Sequence, residues 1–497
     1  MKTKLTRNEV FKSILTFFIA YVVLMCVMLL MTVINLINLD GGESLSVAEF
    51  ITENTRSVIT VCVSTALLTI ITYAYFFFEN KAVLARYSRI IEIYLIMCLA
   101  LLFCNVFGKF VSPTARPLIF FALMTAMFLR RRDAIFINCE FALIIFIFNR
   151  FLNSADYPVI DGGSVPMYES FASLLTIFFV GTIGIFLLKN IKTRLGCVVV
   201  GLMLCVPAIV INVVMQLPQS IDATGDSLLR IILFSALDCV MSVLLFMVLL
   251  PLFEALFSEL TPFRLRELTS DSNKLMRNLK LNAPGTYNHS VVVAQLAEAC
   301  ASAIGEDSEL ARAAAYYHDV GKLKNPEMFA ENQNEYDLHK ELTPELSVDI
   351  IRSHAKDGAK LIKKQRLPEF FADVAVQHHG TLPIKYFYAK ALKLSDGELN
   401  AANYSYAGPT PTSKIAAIIM IADASEAATR SLPERTPEKV EALVRGIVEE
   451  RVNLDQFVDC DITLRELTVV TRTVVSELTG VYHSRVQYPK LVLSKKK

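Results

Sequence analysis

Apolar residues follow two patterns along this chain. Up to about residue 257 they come in near-continuous blocks, and from 258 onward they recur at helical spacing between polar faces. The blocks at roughly 14–38, 57–78, 90–108, 115–129, 134–152, 169–188, 195–217 and 230–257 predict eight membrane spans, because about 20 apolar residues of helix cross a bilayer. The fourth block is short and contains Pro117, so the alternative for blocks four and five is a re-entrant pair. The first block is too long for a signal peptide and is read as a retained span.

Polar residues between the blocks set an orientation. Lys2, Lys4, Arg7 and Lys12 precede the first block. Lys81, Arg86 and Arg89 follow the second, Arg130, Arg131 and Arg132 the fourth, and Lys189, Lys192 and Arg194 the sixth. The intervening loops carry Asp40, Glu43, Glu49, Glu53, Asp156, Asp161, Asp222 and Asp226. Basic loops stay on the cytosolic side, so both termini are expected there. Glu140 and Asp238 fall inside spans, where an acid is a functional candidate by default; the alternative is that each faces a bundle interior.

Beyond the blocks, residues 258–280 form a charged, amphipathic connector, a candidate surface for homodimerisation. Helices are then predicted over Tyr287–Ile304, from an Asp307 or Ser308 cap to His318, and from a Thr343 cap with His354 near the end. A fourth opens at Pro368 and stops at His378-His379-Gly380. A fifth is capped by Ser413 and carries Asp423, a sixth opens at Thr436-Pro437, and a seventh covers about 461–479. The fold class is therefore all-α: a polytopic transmembrane bundle followed by an all-helical soluble domain. Residues 381–412, rich in Pro, Gly and Tyr, are expected to lack regular structure. Tyr386, Tyr404 and Tyr406 there either stack on nucleobases or fold the loop onto the core.

Composition narrows the class. A net charge of +1 and the lack of a long basic stripe outside Lys495-Lys496-Lys497 exclude a dedicated binder of nucleic-acid polymer. Eight of ten cysteines lie in apolar blocks and no CxxC occurs, which fits reduced thiols packed as small hydrophobes.

The candidate chemistry sits in the second half. Six of the seven histidines, His289, His318, His339, His354, His378 and His379, fall within residues 289–379. His318 precedes Asp319 directly, and Asp423 follows downstream. A carboxylate has two oxygens, so Asp319 is the natural bridge between two ions, with His318 on one of them. His378 and His379 can both turn inward because their helix ends there. Mixed imidazole and carboxylate ligands suit two divalent transition ions, manganese or iron, more than calcium. Two such ions a few ångströms apart would activate a hydroxide for attack on phosphorus. The chain reads from this as a membrane-anchored metal phosphohydrolase.

The runs NAPGTYNHSVVVAQLAEACASAIG and ARAAAYYHDVGKLKNPEMFAENQ, with QHHGT, GPTPTSKIAAIIMIADASEAATRSL and VYHSRVQYP, resemble the HD-domain phosphohydrolases. More narrowly they resemble the bacterial seven-transmembrane HD family, over about 57–488. The resemblance implies a plasma-membrane enzyme that hydrolyses cyclic di-AMP to pApA. Its domains would be an N-terminal helix with a short outside loop (1–56), a seven-helix membrane domain (57–257), the connector (258–280), a cytosolic HD domain (281–488) and a basic tail (489–497). It implies one metal on His289, His318, Asp319 and Asp423, and a second on His354, His378 and His379 with Asp319 shared. Lys322 would touch the scissile phosphate and Arg430 the other; His339 has no ligand counterpart. Two departures stand out. Leu39–Arg56 is too short for the family's extracellular domain, and Ser405 and Thr410 replace basic loop residues. Alternative functions are hydrolysis of cyclic di-GMP or a guanosine polyphosphate, a nucleotide-binding receptor with little turnover, or transport by the membrane half.

Overall fold

A computed structural model describes residues 5–36, 47–152, 167–189, 191, 193–216, 225–270, 272–333, 336–395 and 398–481. Lys2, Lys4, Asp40, Glu43, Asp156, Asp161, Lys192, Asp222, Gly397, most of VYHSRVQYP and the basic tail lie outside the described residues, as does the side chain of Asp226. The chain divides into two compact units at Thr261 and Pro262.

The first unit contains α1 (Arg7–Leu36), α2 (Val47–Glu53), α3 (Thr55–Glu79), α4 (Lys81–Ala85), α5 (Tyr87–Phe110), α6 (Phe120–Phe128), α7 (Arg131–Phe151), α8 (Met167–Leu175), α9 (Thr182–Leu188), α10 (Arg194–Gln216) and α11 (Gly225–Phe257). A π-type turn at Thr176–Gly181 joins α8 and α9 into one span. Among the described residues, seven helices are long and apolar enough to cross a membrane. Leu67, Ile70, Phe78, Leu202 and Val248 point outward from them, as lipid-facing residues do.

The fourth predicted span is a correction. Its helix has only nine residues, Phe120–Phe128, about 13 Å of helix against a hydrocarbon core of about 30 Å. Pro117 has no N–H to give, so the chain enters in a broken stretch. It nevertheless runs along α5: Cys104 Sγ donates to Pro117 O, and Arg89 Nη1 donates to Phe128 O. α6 is buried, from Phe120 to Ala126. α7 is full length, so blocks four and five are not a re-entrant pair.

Asp238, expected only as an acid within a span, holds this break in place. Its Oδ1 accepts from Leu118 N at 2.9 Å and from Ser242 Oγ at 3.2 Å. Glu140 is buried in the bundle interior, and neither carboxylate oxygen has a hydrogen-bond partner among the described residues.

The second unit contains α12 (Pro262–Leu268), α13 (Lys274–Asn282), α14 (Pro284–Ile304), α15 (Ser308–Tyr317), α16 (Pro344–Lys364), α17 (Glu369–Gln377), α18 (Lys385–Leu394), α19 (Lys414–Arg430), α20 (Pro437–Asn453) and α21 (Leu464–Val481). Its core helices are α14 and α19, and α19 is buried along most of its length, from Ile415 to Ala422. The connector is not one helix. Asn273 breaks it, accepting from Leu275 N and Met276 N to cap α13. Phe263, Leu265, Leu275, Met276 and Leu279 are buried within the unit. The connector's apolar face is thus covered by its own domain, which removes the sequence argument for dimerisation through it.

Two further expectations change. α16 continues to Lys364, so His354 sits mid-helix. Residues 381–412 contain α18 and a short turn of helix at Ala401–Tyr404, with Pro383 bridging Ser405. The tyrosine and proline content hid a helix whose buried face is only Phe387 and Ala391.

Candidate metal centre

Five elements deliver the seven predicted ligands. His289 lies on α14, His318 and Asp319 at the end of α15, His354 on α16, His378 and His379 after α17, and Asp423 on α19. Glycine makes the central approach feasible. A Cβ on Gly321 would stand 1.9 Å from His354 O and 2.5 Å from Gly358 N. Only glycine lets the turn after Asp319 lie against α16. At Gly380 the backbone is left-handed (φ 52°), and this turns the chain just after His379.

Asp319 sits at the middle and is buried. Its Oδ1 faces His354 Nε2 at 3.3 Å and His378 Nε2 at 3.6 Å. Its Oδ2 faces His318 Nε2 at 3.3 Å and His289 Nε2 at 3.7 Å. Asp423 Oδ1 is 3.0 Å from His289 Nε2, and Asp423 Oδ2 is 3.6 Å from His379 Nδ1. The result is two groups, Asp319 with His354, His378 and His379, and His289 with His318 and Asp423.

The rings are locked from behind. His318, His354 and His378 each direct Nδ1 to the carbonyl three residues earlier, at 2.6, 2.5 and 2.9 Å, and so turn Nε2 inward. His289 Nδ1 meets Glu426 Oε2 at 2.6 Å. A carboxylate behind a histidine is the usual outer partner of a metal ligand. His318 Nε2 and Asp319 Oδ1 are buried and have no hydrogen-bond partner among the described residues. Convergent nitrogen and carboxylate donors with orphaned lone pairs fit a dinuclear metal site.

Charge in the centre follows from burial and neighbours. Burial would raise the Asp319 carboxyl, but Lys322 and His318 outweigh it and hold it well below the usual range. Asp423 is also held low, against burial, by His289 and His379. Burial alone would lower His289, yet Asp423 and Glu426 bring it up to about 10. His354 is pushed down to about 4 by burial, with Asp319 opposing. His379 falls well below its ordinary value through burial and His378.

The other predicted residues separate into three groups. Lys322 Nζ is 2.7 Å from both Asp319 Oδ2 and Glu331 Oε1. Tyr406 stacks on His379 with centroids 4.2 Å apart. Lys322, Tyr386, Tyr406 and Arg430 all line a cavity of about 810 Å³ that opens on the histidines. Arg430 bonds Glu426 from the outside, so it also supports His289. Tyr404 does not line the cavity. It is buried with Val348, Phe387 and Ala391, and its hydroxyl donates to Glu345 at 2.5 Å. Ser405 and Thr410 bond Ala401 O and Asp459, also away from the lining. His339 also lines the cavity, with Nε2 2.8 Å from Met328 O, and belongs to neither candidate ligand group. Sequence reasoning missed Glu426, Glu331 and Arg451. For Glu426 a signal existed: it follows Asp423 by three residues, one turn along the same helix.

Residues 55–261 match the family described as 7TM receptor with intracellular HD hydrolase, and residues 286–428 match the HD domain. The chain belongs to this 7TM–HD family. It is a multi-pass membrane protein carrying an HD hydrolase domain. It is 46% identical over 241 residues to the cyclic-di-AMP phosphodiesterase PgpH of Listeria monocytogenes, covering 48% of this chain and 33% of that one. With PgpH of Bacillus subtilis it shares 39% identity over 310 residues, 62% of this chain and 44% of the relative. The 7TM–HD chain thus spans less than half the length of these two relatives. The crystal structure of the L. monocytogenes PgpH HD domain in complex with cyclic-di-AMP is also similar, at 47% identity. That match covers 43% of this chain and 99% of the solved one, with a TM-score of 0.41.

Proposed function

We propose that this 7TM–HD protein is a membrane-bound phosphodiesterase that hydrolyses cyclic di-AMP to linear pApA. The observation that carries the reading is Asp319, whose two carboxylate oxygens face two separate sets of imidazoles at the head of one cavity. The identity with the two PgpH relatives supports cyclic di-AMP as the substrate.

Two divalent ions, manganese or iron by donor type, would supply Lewis acidity and a water nucleophile at neutral pH. His289, His318, Asp319 and Asp423 would hold one, and His354, His378 and His379 the other, with Asp319 shared. Lys322 keeps its proton: burial alone would lower it, but Asp319 and Glu331 hold it well above its ordinary range. It therefore presents a fixed positive charge to the phosphate being cleaved. Glu331, which also accepts from Thr286 Oγ1 at 3.1 Å, fixes that ammonium. Tyr406 offers an aromatic edge to a base beside His379, and Tyr386, largely exposed, stands at the rim. The basic residues Lys81, Arg86, Arg89 and Arg130–Arg132 support a bacterial plasma-membrane protein with cytosolic termini.

The test uses the full chain in detergent with manganese, incubated with cyclic di-AMP and cyclic di-GMP in parallel. Selective conversion of cyclic di-AMP to pApA, absent in His318→Ala/Asp319→Ala, is the expected result. Selective turnover of cyclic di-GMP would replace the substrate, and binding without turnover would make the protein a receptor.

A further inference from the structure

Three lysine or arginine side chains line the cavity: Lys322, Arg430 and Arg451. Two are already engaged by acids of the centre. Lys322 lies between Asp319 and Glu331, and Arg430 is bonded to Glu426. Arg451, on α20, is different. Its side chain is only 12% exposed, and its Nε is buried with no hydrogen-bond partner among the described residues. Its Nη1 meets Glu450 at 2.8 Å, but Glu450 is shared with Lys385. Glu450 is thus shared between two cations, Lys385 and Arg451, and of these Arg451 lines the cavity.

The position of Arg451 is fixed against the histidine turn. Asp455 takes a left-handed conformation (φ 54°), and Gln456 N then donates to Arg451 O at 3.0 Å. Gln456 Oε1 accepts from Thr381 N at 2.9 Å, and Gln456 Nε2 donates to Thr381 Oγ1 at 2.9 Å. Thr381 follows His378-His379-Gly380 directly. The end of α20 is therefore clamped to the loop carrying two predicted ligands, and Arg451 lies within the field of Asp423. α20 falls outside residues 286–428, the part that matches the HD domain.

We infer that Arg451 binds the second phosphate of a cyclic dinucleotide, the one not being cleaved; this rests on the cyclic-dinucleotide reading above. Such a substrate carries two anionic phosphodiesters. The metal centre and Lys322 take one, and the other enters a low-dielectric cavity that needs a further cation. Arg451 has the unengaged N–H and the preorganised, always-charged group for that role. A charge-assisted hydrogen bond of this kind is worth about 1.5–3 kcal/mol, roughly 10–100-fold in affinity.

The experiment compares full-length wild type with Arg451→Gln and Arg451→Lys on cyclic di-AMP and on bis(p-nitrophenyl) phosphate, which has one phosphate. Arg451→Gln should raise KM for cyclic di-AMP by about tenfold or more, leave kcat and single-phosphate turnover nearly unchanged, and keep the melting temperature. Arg451→Lys should recover part of the affinity. Equal loss on both substrates would make Arg451 a support of the metal centre or fold and overturn the proposal. So would no change on either. Calorimetric binding of pApA and AMP separates this proposal from the substrate assignment, because it needs no turnover. If wild type cleaves no cyclic dinucleotide, the substrate reading fails. Arg451 then stands if Arg451→Gln weakens pApA and spares AMP, and falls if both are affected alike or wild type binds neither.

Discussion

His289 Nδ1 lies 2.6 Å from Glu426 Oε2, and this contact decides which nitrogen of His289 faces the centre. With Nδ1 engaged, Nε2 is left 3.0 Å from Asp423 Oδ1. Asp423 and Glu426 are one turn apart on α19, so a single helix supplies a candidate ligand and the group that orients the His289 ring. Glu426→Gln should weaken metal binding by about 10–100-fold without loss of helix. Metal titration of the purified protein checks this; an unchanged affinity would mean that packing alone orients the ring.

Gly321→Ala should be far more damaging than Gly358→Ala. A methyl at 321 meets His354 O at 1.9 Å, whereas one at 358 comes no closer than 3.2 Å to Gly321 N. Overpacking of this kind costs about 1–3 kcal/mol or more. It should also move Asp319 away from His354, so thermal melting and metal content should fall together in the first variant and hardly change in the second.

Metal affinity should rise with pH from about 7 to about 10. His289 has its folded pKa raised from 6.5 to about 10, against burial, by Asp423 and Glu426. In metal-free protein that charged interaction is fully present below the unfolded value near 6.5 and is lost as pH rises through about 10. An ion competes for the same lone pair and must expel the proton. Calorimetry in buffers of different ionisation enthalpy should register proton release near neutral pH; equal heats in all buffers would refute it.

Asp238→Leu should destabilise the membrane unit by about 1–3 kcal/mol, because Leu118 N is left buried without an acceptor. Asp238→Asn keeps an acceptor oxygen and should be milder. Melting of detergent-solubilised protein distinguishes the two, and equal stability of both variants would remove Asp238 as the holder of the break.

Tyr404→Phe should lower stability by about 0.5–1.5 kcal/mol through loss of its bond to Glu345, with kcat and KM unchanged. Tyr406→Ala should instead alter KM or kcat, since its ring stacks on His379 in the cavity. Steady-state kinetics on both variants, with melting curves, would expose a reversal of these roles.

Much of the candidate metal centre was legible because the candidate ligand residues are rare and clustered: histidine is absent from the 288 residues before His289. Helix caps at Thr343, Ser413 and Thr436 were legible because their hydroxyls do local work, each accepting from an N–H three residues on. The tyrosines were not separable in sequence. Tyr404 and Tyr406 are two residues apart, yet one fills a small core and the other faces the cavity. The fourth span misled because composition counts apolar residues, and a backbone break at Pro117 leaves that count unchanged.

By itself the sequence determined the two-part architecture, the run of apolar spans and the candidate ligand residues, because hydrophobic period and side-chain chemistry are local properties. Only the tertiary structure decided which oxygen of Asp319 faces which imidazole, that Glu426 stands behind His289, and that Arg451 reaches the cavity. Those relations join groups as far apart as 137 residues in the chain. They exist only where helix packing, and glycines such as Gly321, bring the backbones together.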